Sequence, residues 1–175
     1  MNVATWKTSW GYFGIVADEA GIRSTYLPQP EVDLQRRIDR DWPEVSEDAG
    51  FIESRWPTLC DRVRRYFDGE AVSFDYPLRL EGTPPFRRRV LEACAGVAYG
   101  STLSYAALGQ LAGNARAARA VGGAMANNPL PLLVPCHRVL RADGSIGGFS
   151  APDGVTLKAR MLRLECVSLR EQPVA

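Results

Sequence analysis

Cys136 stands beside His137, the single histidine of the chain, and two residues before Arg138. A thiolate, not a thiol, is the nucleophile, and a cysteine ionises near neutral pH when a base or a cation favours its anion. Cys136 is therefore the strongest candidate in the chain for nucleophilic chemistry. Neighbours in an extended chain point in different directions, so His137 need not touch the sulfur; a base also works through one water. Context strengthens what adjacency leaves weak. Pro135 restrains the backbone ahead of Cys136, the mostly apolar run Leu130 to Val134 precedes it, and Gly147-Gly148 follows in basic surroundings. Such a combination suits the floor of a pocket.

The other cysteines, Cys60, Cys94 and Cys166, lie far apart and form no CxxC pair, and one histidine supplies a closed zinc site poorly. No metal is expected, and these three read as small buried hydrophobes. All four thiols suit a reducing compartment.

At 175 residues, 46% hydrophobic and 23% charged, the chain has material for one soluble unit or two small ones sharing a core. Val3, Ala4 and Trp6 are scattered among polar residues, and the first residues never build an apolar run fit for a signal peptide or a membrane span. An intracellular protein is expected. The net charge of +1 hides an asymmetry: residues 1–80 carry 10 Lys/Arg against 14 Asp/Glu, net −4, and residues 81–175 carry 11 against 6, net +5. The basic half is the one that would meet a polyanion.

The elements that must position Cys136 follow from periodicity. Trp10 to Ala17 and Gly21 to Leu27 are β-prone runs around the turn Asp18-Glu19, a hairpin or meander. Glu31 to Arg40 suits a short helix, Asp41 to Gly50 a loop, and Leu59, Val63, Tyr66 and Phe67 recur at helical spacing until Gly69. Val72 to Leu78 reads as a further strand, with Pro77 marking an edge. Thr83-Pro84 caps a helix carrying Phe86, Val90, Leu91, Cys94 and Val97. Ser104 caps a second one with Tyr105, Leu108 and Leu111, ending at Gly113. Asn114 caps a third that runs through Ala117, Val121 and Met125 to Asn127, and the last two make a helix-turn-helix candidate. The third helix is nearly all alanine and glycine apart from Arg116 and Arg119. So smooth a helix approaches either a neighbouring helix or a DNA groove closely. A final amphipathic helix, roughly Thr156 to Glu165, presents Leu157, Met161 and Leu164.

From about Gly82 to Glu165 a series of blocks appears in order: Thr83-Pro84-Pro85-Phe86, Tyr99-Gly100, Ser104-Tyr105, Ala117-Ala118-Arg119-Ala120-Val121-Gly122, Asn127-Asn128-Pro129, Val134-Pro135-Cys136-His137-Arg138-Val139, and Gly144 with Gly147. This series resembles the O6-alkylguanine-DNA alkyltransferases, also called methylated-DNA-protein-cysteine methyltransferases. The resemblance implies a mixed α/β (α+β) fold, a small N-terminal β-sheet domain (1–80) with helices packed on a C-terminal helix-turn-helix, winged-helix-like domain (81–170), and a tail (171–175). It implies direct-reversal repair, an irreversible, stoichiometric transfer of an alkyl group from O6 of guanine, or O4 of thymine, to Cys136. By the same resemblance His137 takes the thiol proton through a water and Glu165 orients the imidazole.

Because the thioether product is not hydrolysed, each molecule would act a single time, with no cofactor. The lesion is unreachable inside a duplex, so the nucleotide is extruded. The resemblance puts the smooth helix in the minor groove of double-stranded DNA, with Arg119 filling the gap in the stack. Tyr105 would turn the nucleotide out and bond the base, Met125 would pack on the flipped ring, and Asn128 would tie the helix to the Cys136 segment. The carbonyls of Cys136 and Val139 would read the exocyclic amine, and the Ser150 backbone would donate to O6. A cytoplasmic monomer is implied, nuclear in a eukaryote.

Two departures and two rivals accompany the resemblance. Phe149-Ser150-Ala151-Pro152 stands where the family often has an aromatic hydroxyl and two glycines, which bears on the range of alkyl groups accepted. The amino-terminal half lacks the zinc-binding set of some members. A binding module that recognises alkylated DNA without repair would lack the acceptor, which Cys136 argues against. A winged-helix transcription regulator would gain nothing from Pro135-Cys136-His137-Arg138.

Overall fold

The computed structural model describes residues 1–167, so the expected tail, 171–175, lies outside the described residues. The backbone divides into two units, Met1–Leu80 with Pro129–Leu133, and Glu81–Asn128 with Val134 onward.

In the first unit, β1 (Asn2–Thr8), β2 (Gly11–Asp18) and β3 (Gly21–Gln29) form an antiparallel meander, and β4 (Ser46–Glu47) adds in parallel to β1, giving the order β3-β2-β1-β4. The hairpin turn closes where Asp18 Oδ1 accepts from the Ala20 amide, and Gly21 follows at φ +150°. A side chain on Gly21 would meet the Pro77 carbonyl at 2.7 Å. Helix α1 (Glu31–Asp41) buries Leu34 and Ile38 against Val3, Val16 and Tyr26, each burial worth about 1.5–3 kcal/mol. Gly14 leaves room for the tips of both side chains.

Helices α2 (Ala49–Arg55) and α3 (Leu59–Phe67) follow, and α3 turns Leu59, Val63, Tyr66 and Phe67 inward. The loop expected over Asp41 to Gly50 thus ends earlier. Asp48 accepts from the Phe51 amide and starts α2. The strand expected over Val72 to Leu78 shrinks to one bridge between Ile22 and Leu78, because Pro77 has no amide to donate.

Pro129–Leu133, expected in the second domain, belongs to the first. The Thr25 amide donates to the Pro129 carbonyl at 3.0 Å, and Thr25 Oγ1 donates to the Pro131 carbonyl at 2.6 Å.

The second unit opens with α4 (Pro85–Ala95), which begins one residue later than the expected cap: Pro84, not Thr83, occupies the cap position. After the two-residue β5 (Leu103–Ser104) come α5 (Tyr105–Leu111) and α6 (Ala118–Ala126), both packed on α4. Ser104 caps α5 as expected, its hydroxyl accepting from the Ala107 amide at 3.1 Å. Asn114 does not cap α6. Its side chain accepts from the Arg116 amide two residues on, and the helix starts only at Ala118.

Two arginines of α4 fasten this pair by its carbonyl ends. Arg89 Nε donates to Ala112, which closes α5, at 3.0 Å, and Arg87 donates to the carbonyl of Asn127, which closes α6. Next come a 3-10 turn (Cys136–Arg138), β6 (Val139–Leu140) pairing in parallel with β5, and α7 (Gly154–Leu164). No antiparallel wing follows α6 among the described residues: Arg141 to Ser150 contains no strand.

Candidate active site

Cys136, His137 and Arg138 form a single 3-10 turn, and that geometry decides where each side chain goes. At three residues per turn, successive side chains diverge by about 120°, so sequence neighbours reach different partners. The turn is held by the Cys136 amide to the Val134 carbonyl at 2.7 Å and the Arg138 amide to the Pro135 carbonyl at 2.9 Å. All three side chains are buried.

His137 Nε2 lies 2.7 Å from Glu165 Oε1, at the end of α7. Arg138 grips the same carboxylate: Nη2 donates to Oε1 and Nε to Oε2, each at 2.9 Å. Arg138 Nη1 donates to the Val97 carbonyl, and the Gly100 amide donates to Glu165 Oε2 at 3.1 Å. Burial pushes the Glu165 carboxyl up, but hydrogen bonds from His137 and Arg138, with the Arg138 charge, outweigh it and hold the group at about 2. Burial also pushes the His137 pKa down, against the pull of Glu165, so the imidazole rests neutral and ready to accept a proton.

Burial raises the Cys136 thiol, and a hydrogen bond from the Asn128 side chain and the charge of Lys158 oppose the rise. Lys158 lies on α7 with its ammonium buried, donating to the Val139 carbonyl at 2.6 Å. Its Nζ is 5.9 Å from the centre of the Tyr105 ring and 5.8 Å from that of Phe149. Desolvation lowers this lysine to about 8.

The structure therefore brings Cys136, His137 and Glu165 together and adds two residues that the sequence reading did not place: Arg138 as the clamp on Glu165, and Lys158. A signal for Lys158 exists in the sequence. It precedes Met161 and Leu162 by three and four residues, which puts it on the buried face of α7. Val139 keeps its place beside the acceptor, with its carbonyl already accepting from Lys158. Of the remaining thiols, Cys94 is buried as expected, Cys60 is half-buried, and Cys166, expected inside, is exposed just beyond α7.

The other candidate residues surround this cluster at different distances from it. Tyr105 is half-buried at the start of α5, within electrostatic reach of Cys136, and burial raises its phenol. Met125 is buried on α6. Asn128 Nδ2 donates to the Val134 carbonyl at 2.8 Å, and Ser150 Oγ donates to the Ala126 carbonyl at 2.7 Å. Arg119 is exposed in the first turn of α6, apart from the buried group.

The smoothness of α6 can now be assigned to a side of the helix. Val121, Ala124 and Met125 face inward, whereas a side chain added at Gly122 or Gly123 would meet nothing within 4 Å. The glycines are not there to admit a neighbouring helix. They leave an open face of backbone beside Arg119.

The comparisons with known proteins agree with this geometry. Residues 85–167 match the family model described as 6-O-methylguanine DNA methyltransferase, DNA binding domain. A methylated-DNA–protein-cysteine methyltransferase of Methanothermobacter thermautotrophicus is 43% identical over 115 residues, covering 65% of this chain and 63% of that protein. The constitutive methylated-DNA–protein-cysteine methyltransferase of Bacillus subtilis is 36% identical over 171 residues, covering 96% of this chain and 97% of that protein. Mycobacterium tuberculosis OGT, solved in complex with DNA, superposes with a TM-score of 0.76 at 30% identity, covering 94% of this chain and 92% of that one. Matched over nearly its whole length to the Bacillus subtilis protein, this chain belongs to the methylated-DNA–protein-cysteine methyltransferase family.

Proposed function

We propose that this chain repairs alkylated DNA directly, accepting an alkyl group, methyl in the first instance, from O6 of guanine onto Cys136 in a single turnover. The observation that carries the reading is the 3-10 turn that buries Cys136 beside His137, with His137 Nε2 2.7 Å from Glu165. The thiol proton passes to the neutral imidazole through one water. The Cys136 sulfur then attacks the alkyl carbon, an S–C bond forms, and the C–O6 bond breaks with its electron pair going to the base. The guanine anion takes that proton from the imidazolium and is left as intact guanine in the DNA. The thioether left on Cys136 offers water no acyl or phosphoryl centre, so the acceptor is not regenerated.

The open glycine face of α6 and the basic half of the chain support docking on duplex DNA through the minor groove, where bulk on a helix would prevent close approach. Arg119 enters the stack as the lesion nucleotide turns out, and Tyr105, Met125, Val139 and the Ser150 backbone receive the base. O4 of alkylated thymine presents a similar alkyl ether and is the alternative substrate. One molecule supplies all of these groups, which fits a monomer. An acceptor that must stay reduced until used fits the cytoplasm.

The test is intact-mass analysis after incubation with a duplex oligonucleotide containing O6-methylguanine. The expected result is one added methyl group, mapped to Cys136. Reduced, folded protein that gains no mass would refute the proposal. Cys136→Ala is expected to bind the lesion duplex and gain nothing.

A further inference from the structure

We infer that Arg138 is a positioning residue for the proton transfer: by taking both oxygens of Glu165 it keeps that carboxylate an acceptor only, so His137 must hold its proton on Nε2 and offer Nδ1 as the base. The repair reading supplies only the use to which that base is put.

Glu165 Oε1 meets His137 Nε2 at 2.7 Å and Arg138 Nη2 at 2.9 Å, while Oε2 meets Arg138 Nε at 2.9 Å and the Gly100 amide at 3.1 Å. Guanidinium and amide nitrogens only donate, and an ionised carboxylate only accepts, through about four lone-pair sites. These four contacts fill them. The one partner whose role is open is the imidazole, and beside a carboxylate that can only accept, its Nε2 carries the proton. Nδ1 is then the basic nitrogen.

Arg138 is what commits the carboxylate to this role. A buried carboxyl with the imidazole as its sole charged partner would either take up a proton or hold the imidazole as a cation. Arginine presents a planar fork that reaches both oxygens at once, which the point charge of a lysine cannot do. The fork is itself held in place. Nη1 donates to the Val97 carbonyl, and the guanidinium carbon lies 5.9 Å from the centre of the Tyr99 ring. The Tyr99 hydroxyl in turn donates to the Leu164 carbonyl at 3.0 Å, next to Glu165 in the chain.

The groups facing His137 are Cys136 and Arg138 in its own turn and Glu165 and Lys158 from α7. Burial lowers the proton affinity of the imidazole, Glu165 raises it, and Arg138 and Lys158 lower it again. A carboxylate shared with a fixed cation holds an imidazolium less tightly than an unshared one. His137 therefore carries the thiol proton without keeping it, and passes it on to the departing base.

His137 is the single histidine of the chain, so nitrogen NMR of the labelled imidazole reads its tautomer and its titration with no DNA present. The wild-type ring is expected to be neutral at neutral pH and protonated on Nε2. Arg138→Met is expected to raise the midpoint of its titration by about one to two pH units. Transfer from the O6-methylguanine duplex should then slow by about 10- to 100-fold below the new midpoint and approach the wild-type rate above it. A residue that only supported the fold would slow transfer alike at every pH. Arg138→Lys keeps the charge and should restore most of the midpoint.

Because Arg138→Met leaves Glu165 buried without its cation, the paired variant Arg138→Met with Glu165→Gln removes both charges and guards against a failure to fold. Its imidazole is expected to titrate no higher than that of the wild type. A wild-type ring protonated on Nδ1 would overturn the inference. So would an unchanged midpoint in Arg138→Met, or a paired variant that titrates above the wild type. Wild-type protein that shows the Nε2 tautomer but gains no methyl group would count against the repair reading and leave the role of Arg138 standing.

Discussion

Ser150 Oγ donates to the Ala126 carbonyl at 2.7 Å, so the loop that follows the acceptor turn is tied to the last turn of α6. Two further side chains work at the same end of that helix. Arg87 of α4 holds the Asn127 carbonyl, and Asn128 reaches the Val134 carbonyl just ahead of Cys136 at 2.8 Å. The helix with the open face is thereby fastened to both segments that border the acceptor.

Ser150→Ala removes one of these ties while leaving the backbone amide in place. Losing one hydrogen bond costs about 0.5–1.5 kcal/mol. The expected result is transfer from duplex DNA slowed about 3- to 10-fold, with the rate on free O6-methylguanine base much less affected. Ser150→Thr keeps the hydroxyl and should recover the duplex rate. Equal losses on the two substrates would show that the hydroxyl serves the pocket alone.

Arg119 is exposed at the start of α6, beside glycines where an added side chain would meet nothing within 4 Å. A side chain that fills a vacated stack matters only when there is a stack. Arg119→Ala is expected to slow transfer from duplex DNA by about 10- to 100-fold, since unstacking a base step costs a few kcal/mol. The free base should react at the wild-type rate. Single-turnover kinetics on the two substrates decide the matter, and an Arg119→Ala protein with unchanged duplex kinetics would remove the residue from the extrusion step.

What could be read from the sequence was local. The hairpin around Asp18, the Ser104 cap and the final helix all declare themselves in a few neighbouring residues. Strand β1 did not, because Val3, Ala4, Trp6 and Thr8 include small and polar side chains that look scattered until Ile15 and Phe13 pair with their strand. The assignment of Pro129–Leu133 was hidden for another reason. Its hydrogen bonds run to Thr25 and Ser24, about a hundred residues away.

At the site, Cys136 and His137 were legible as a pair and Glu165 through resemblance. Lys158 was not, since lysine ordinarily marks an exposed face and here the rule fails. A buried cation is a departure from pattern of the kind that composition rules miss.

Glu165 makes the stability of the second unit depend on acid. Its carboxyl sits at about 2 when folded, against an ordinary 4.5. A depressed carboxyl contributes stability that is present above pH 4.5 and lost as pH falls toward 2. By pH 3 the wild type should have lost roughly 2 kcal/mol through this group. Glu165→Gln should lack that acid-dependent loss while being weaker at pH 7 by about 3–5 kcal/mol, because Arg138 is left buried without its anion. Urea unfolding at pH 7 and pH 3 measures both effects. A Glu165→Gln protein that keeps the wild-type acid profile would assign the loss to other carboxylates.

Gly147 and Tyr105 provide the sharpest steric test. A side chain on Gly147 would sit 2.5 Å from the Tyr105 hydroxyl and 3.0–3.1 Å from two ring carbons, so one of the two must move. The tyrosine is the far end of a side chain and only half-buried, so it yields before the backbone does. Gly147→Ala should therefore fold with a Tm within a few degrees of the wild type while displacing the Tyr105 ring, which is proposed to receive the base. Misplacement by about 1 Å costs about 100-fold in a positioned reaction. A loss of about 10- to 100-fold is expected on duplex and free base alike. Because the glycine would act through the tyrosine, adding Gly147→Ala to Tyr105→Ala should cost nothing further. Additive losses in the double variant would mean that Gly147 meets the substrate itself, and a Gly147→Ala protein with full activity would mean that Tyr105 can be moved without consequence.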